Sequence, residues 1–126
     1  MPSIASGEFS IDLKPGEPDF TGTGRFDFTK VWTGAIAGRS EGFMASAGDP
    51  ASGNAGYVAI EVFTGSVDGA EGAFVFQQFG LVKGGEQELR YEIVPGSGSG
   101  ALAGITGTLD LNREDGQHLV ALTYEL

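Results

Sequence analysis

The sequence predicts an all-β protein: a small antiparallel β-barrel of about eight strands with little or no helix, formed by residues 1–126 as a single domain. Three observations carry that expectation. Apolar and polar residues alternate with period two through most of the chain. Glycine, at 22 of 126 residues, recurs so often that any helix would lose roughly 1 kcal/mol at each one. The gaps between alternating segments are hairpin-length.

The segments follow in order. EFSIDLK (8–14) aligns Phe9, Ile11 and Leu13, and RFDFTKVWT (25–33) aligns Phe26, Phe28, Lys30 and Trp32. The stretch 37–47 carries Ser40, Gly42 and Met44 on one face. YVAIEVF (57–63) is apolar on both faces, with Tyr57, Ala59, Glu61 and Phe63 opposite Val58, Ile60 and Val62. AFVFQQF (73–79) puts Phe74, Phe76 and Gln78 together, and QELRYEIV (87–94) puts Leu89, Tyr91 and Ile93 together. TLDLNRE (108–114) and HLVALTYEL (118–126) complete the series, the last aligning His118, Val120, Leu122 and Tyr124. Glycines recur near the spacing G-x-x-x-G-x-x-G in 33–44, 64–75 and 99–110, a weak internal repeat with the period of a strand, a turn and a second strand. Closing such a sheet removes its exposed edges, and an eight-stranded barrel is either filled by side chains or holds one small ligand.

Composition excludes several function classes. The formal charge is −10, and the seven basic residues are scattered, so no nucleic-acid surface is expected. No apolar run reaches the roughly 20 residues of a membrane helix, and MPSIASGEFS has no secretory pattern, so a cytoplasmic location away from membranes is expected. Cysteine is absent and histidine occurs once, which leaves neither a thiolate nucleophile nor a His-pair zinc site. DLNREDG (110–116) lacks the glycine position of a calcium loop and reads as a hairpin turn. In VPGSGSGALAGITG (94–107), Gly98, Gly100 and Ala103 match a loose dinucleotide fingerprint, but no helix follows to hold a pyrophosphate. The stretch reads instead as a broad connection beginning at Pro95. Neither cofactor nor metal is expected.

The ordered strings TKVWTGAIAGRSEG, YVAIEVFTGSVDGAEGAFVFQQFG, VPGSGSGALAGITGTL and HLVALTYEL resemble an uncharacterised bacterial domain-of-unknown-function family. The resemblance runs from about residue 7 to residue 126. It implies a barrel similar in plan to those of allene oxide cyclases and dirigent proteins, without implying their reactions. The family often has histidine where this chain has Gln78.

The residues outline a polar cluster in an aromatic cup. Lys30 shares its face with aromatic residues that belong inside, and a buried ammonium needs a partner, for which Glu61 is the natural candidate. Glu61, Lys30 and Tyr57 are the expected catalytic groups, Glu or Tyr moving a proton and Lys stabilising negative charge. Phe28, Trp32, Ser40, Met44, Phe76, Gln78, Tyr91 and Tyr124 are the expected ligand-binding residues. His118, near the start of its strand, is expected at the rim without a chemical role. Loops 15–24 and 46–56 could gate one mouth. Three readings stand: a cofactor-free isomerase or cyclase of a small lipophilic molecule; a non-catalytic carrier; and a self-assembling domain with a filled lumen, its two-sided apolar strand packed on another copy.

Overall fold

A computed structural model describes residues 2–126. Eight long strands form a closed antiparallel barrel: β1 (Ser3–Pro15), β2 (Gly24–Gly34), β3 (Ile36–Asp49), β4 (Asn54–Val67), β5 (Ala70–Lys83), β6 (Glu86–Ile93), β8 (Thr106–Glu114) and β9 (Gln117–Glu125). β7 is a two-residue bridge, Ser99–Gly100, on the edge of β5 below β6. Neighbours around the wall are β1-β2-β3-β4-β5-β6-β8-β9, with β9 returning to β1. One turn of 3₁₀ helix, Pro50–Ser52, joins β3 to β4, capped where Asp49 Oδ1 accepts from the Ala51 amide at 3.0 Å.

The strands run longer than the alternation alone suggests, because many glycines lie within ladders instead of turning the chain. Gly42 shows why. A Cβ there would lie 2.1 Å from the Ile60 carbonyl oxygen of β4, so glycine lets β3 and β4 press together. Other glycines make the tight turns. Asp68-Gly69 and Asp115-Gly116 both take positive φ throughout, the two-residue hairpin geometry that follows the native twist.

The two ends of the barrel differ. The β1–β2, β3–β4, β5–β6 and β8–β9 connections meet at what we call the upper end. At the lower end the segment 94–105 folds across the opening, with Leu102 and Ile105 completely buried. The Ala101 amide donates to Glu71 O and the Val94 amide to Val75 O, each at 2.8 Å, and Ser97 Oγ accepts from the Val75 amide at 3.0 Å. The glycine-rich stretch that resembles a nucleotide fingerprint is therefore a plug as well as a connection. Above it the lumen is packed with Ile36, Phe63, Phe74, Phe76, Ile93, Leu109 and Leu122. Phe63 stacks on Phe74 with ring centroids 4.9 Å apart, and Phe74 meets Phe76 edge-on at 4.8 Å.

The upper end is open. Leu13 and Leu89 share the inward parity of Phe9 and Tyr91, yet they are 46% and 41% exposed. These two inward side chains meet solvent at this end, which we call the mouth. One seam of the wall is weak: β6 and β8 pair only at Glu92↔Thr108 and diverge toward that mouth.

Candidate functional site

Between the packed lower lumen and the open mouth lies one layer of polar groups. Lys30 comes from β2, Ser40 from β3, Glu61 from β4, Gln78 from β5 and Tyr91 from β6. The ladder sets their heights: Lys30 faces Ser40 across β2–β3, and Gln78 faces Tyr91 across β5–β6.

Glu61 is the hub, 1% exposed. Its Oε1 accepts from Lys30 Nζ at 2.9 Å, from Gln78 Nε2 at 3.0 Å and from the Tyr91 hydroxyl in a short contact. Its Oε2 accepts from Ser40 Oγ at 2.6 Å, while Ser40 Oγ accepts from Trp32 Nε1 at 2.9 Å. Lys30 Nζ also donates to the Tyr91 hydroxyl at 2.8 Å, so the phenol links ammonium to carboxylate. Gln78 orients the upper side, because its Oε1 accepts the Tyr57 hydroxyl at 2.9 Å. Every buried side-chain polar atom among the described residues has a partner, which gives this network one defined arrangement.

The ammonium sits in an aromatic enclosure. Lys30 Nζ is 4.4 Å from the Phe9 ring centroid, 5.0 Å from those of Phe28 and Tyr91, and 5.5 Å from Trp32. Burial drives the Lys30 pKa below the usual amine value, opposed by the charge and hydrogen bond of Glu61. Burial likewise raises the Tyr91 phenol well above its ordinary 10.0, reinforced by the charge of Glu61 and the bond to it. Tyr57 is raised too, again chiefly by burial; the Arg113 charge pulls it down and Glu61 pushes it up. The layer therefore sets phenols that keep their protons to higher pH than usual beside the Glu61 carboxyl group and a desolvated amine, a set able to donate, accept and relay protons.

The expected residues divide by height. Lys30, Ser40, Glu61, Gln78, Tyr57 and Tyr91 come together in one network, with Phe28 and Trp32 flanking the ammonium. Trp32 and Phe76 lie stacked in the packed core, so they form the floor of the site. Met44 is half-buried at the mouth. Tyr124 faces inward but at the plugged end, where its hydroxyl donates to Asp68 Oδ2 at 2.6 Å, so it is not brought to the others. His118 is half-buried and stacks on Phe9 at 4.8 Å; burial lowers its pKa, helped by the Arg113 and Lys30 charges. Loops 15–24 and 46–56 both lie at the mouth. Sequence reasoning missed Phe9 as an ammonium contact and Leu13 and Leu89 as mouth residues. The period-two faces of β1 and β6 held that signal.

A surface groove of about 520 Å³ crosses β1 to β4 and reaches inward to Phe28 and Glu61 beside Gly42. No helix among the described residues is long and apolar enough to cross a membrane.

Comparison with known proteins gives one consistent family. Residues 5–124 match the family model described as Protein of unknown function (DUF3224). The crystal structure of a protein with unknown function from the DUF3224 family of Shewanella oneidensis MR-1 is similar throughout, with 36% sequence identity and a TM-score of 0.94, covering 100% of this chain and 98% of that one. No curated protein matches.

Proposed function

Because the chain belongs to the DUF3224 family, a family of proteins of unknown function, its role must be read from its own barrel, and we propose that it binds a small apolar molecule in the upper lumen and moves a proton on it without a cofactor. The observation that carries this reading is the pair Leu13 and Leu89, inward-facing and exposed, above a buried carboxylate, amine and phenol. An apolar cup with a few convergent polar groups at its floor is the usual form of a small-molecule site. In this reading Glu61 accepts a proton, Tyr91 or Tyr57 donates one, and Lys30 stabilises the negative charge that develops between the two steps. Isomerisation or cyclisation of a lipophilic molecule needs no more than this.

The test is methyl NMR with hexan-1-ol as a minimal apolar probe. Saturable shifts at Leu13 and Leu89 are expected, and they persist in Glu61→Gln if the site can bind without turning over. Shifts confined to the outer wall would overturn the reading.

A second reading has its own observation. Val58, Ile60 and Val62 of β4 are exposed on the outer wall beside Phe43 and Phe79, a continuous apolar strip of the kind that packs against another surface. Self-association through it predicts a concentration-dependent mass in sedimentation that Ile60→Glu abolishes. A monomer at all concentrations would sink that reading.

A further inference from the structure

We propose that Lys30 is a nucleophile that condenses with the carbonyl carbon of an apolar aldehyde or ketone entering from the upper lumen. The inference rests on the ligand reading above and narrows its substrate class to carbonyl compounds.

Charge neutralisation alone leaves much of the layer unexplained. Glu61 is already served by Ser40, Gln78 and Tyr91. The amine is nonetheless held against four aromatic rings. The other two lysines, Lys14 and Lys83, are exposed. A desolvated amine in an apolar pocket is an activated nucleophile, and the lowered Lys30 pKa agrees with that placement. The partners are those that imine formation requires. The Tyr91 hydroxyl touches both the amine and Glu61 Oε1, so a proton can pass between nitrogen, phenol and carboxylate over single hydrogen bonds.

The step balances without an oxidant or reductant. The ammonium gives one proton to Glu61, and the neutral Nζ forms a bond to the carbonyl carbon. The carbonyl oxygen takes a proton from Tyr91, which Glu61 replenishes. Nitrogen then releases a second proton, which the same relay carries to the new hydroxyl oxygen, and the carbon–oxygen bond breaks to release water. The sum is ammonium plus carbonyl giving protonated imine plus water. The positive charge is conserved, so the rings and the carboxylate that hold the ammonium serve the iminium equally. Phe28 lies next above Lys30 on β2 and covers it from the mouth. A carbonyl compound reaches the amine by displacing that ring.

The experiment incubates the folded full-length chain with hexanal and cyanoborohydride, then maps the hexyl adduct by peptide mass spectrometry. Lys14 and Lys83 are internal references. Binding of hexan-1-ol, the matched alcohol, is read from the fluorescence of Trp32. The amine is held against four aromatic rings and burial lowers its pKa, so Lys30 is expected to be labelled severalfold over the exposed lysines. Phe28→Ala is expected to label faster, and Lys30→Arg not at position 30. Hexan-1-ol binding without preferential labelling of Lys30, in the native chain and in Phe28→Ala, would overturn the imine while keeping the ligand reading. Neither binding nor labelling would overturn both.

Discussion

Lys30 and Glu61 meet at 2.9 Å although their strands are not neighbours. β3 runs between β2 and β4, with Ser40 level with Lys30 and Gly42 level with Glu61. The short side chain of Ser40 lets the ion pair close over it and adds a hydroxyl to the carboxylate at 2.6 Å. The pair is buried on both sides, so its attraction is set against a large desolvation cost.

Removing one partner should therefore be far worse than removing both. Glu61→Gln leaves an ammonium buried without its counter-charge and is expected to cost about 3 kcal/mol or more. Replacing both, as Lys30→Met with Glu61→Leu, is expected to recover most of that loss. Urea unfolding of Glu61→Gln, of Lys30→Met alone and of the double variant measures the difference. Equal destabilisation in all three would contradict this account of the pair.

Alkaline pH should weaken the fold through Tyr91. Its phenol is held well above 10.0 in the folded chain, first by burial and then by Glu61. The unfolded chain releases that proton near 10.0 while the fold retains it, so the contribution is full below that pH and is lost as pH rises toward the folded value. Denaturation midpoints are expected to fall above pH ~10, and to fall less in Tyr91→Phe. Phenolate absorbance offers a second check: Tyr57, Tyr91 and Tyr124 are all raised, so the native protein should ionise its tyrosines later than the denatured chain.

The plug should matter to stability and not to the mouth. Leu102 is completely buried at the lower end. Leu102→Ala is expected to cost roughly 2–5 kcal/mol through the cavity it leaves. Hexan-1-ol binding at the upper end should persist in the folded fraction. Loss of binding in step with the loss of packing would mean that the two ends are coupled.

Gly80 sets the position of Tyr57. A Cβ at residue 80 would lie 2.1 Å from Cε1 of the Tyr57 ring. Gly80→Ala should push the ring off β5 and break its 2.9 Å bond to Gln78. The expected cost is about 1–3 kcal/mol, and the Tyr57 resonances should shift while those of Tyr124 stay fixed. An unchanged Tyr57 environment would show that the ring has another place to rest.

Much of this site was legible in the chain. Alternation assigns Lys30 to the face of Phe28 and Trp32, and Glu61 to the face of Tyr57 and Phe63, and the structure puts both inside. The need of a buried ammonium for a counter-charge then pairs them before any coordinates. Tyr124 shows where that reasoning stops. Its parity is as good as that of Tyr91, yet it binds Asp68 beside the plugged end.

The sequence by itself determined where the strands lie and, wherever apolar and polar residues alternate, which residues share a face, because period two is a local property of an extended backbone. Height along the lumen was decided only by tertiary structure. It depends on the register of each strand against the next, and a register is a relationship between distant segments. The same reason hid the sealed end. Leu102 and Ile105 have no local alternation to mark them, and they become core only when 94–105 closes over strands already wound into a barrel.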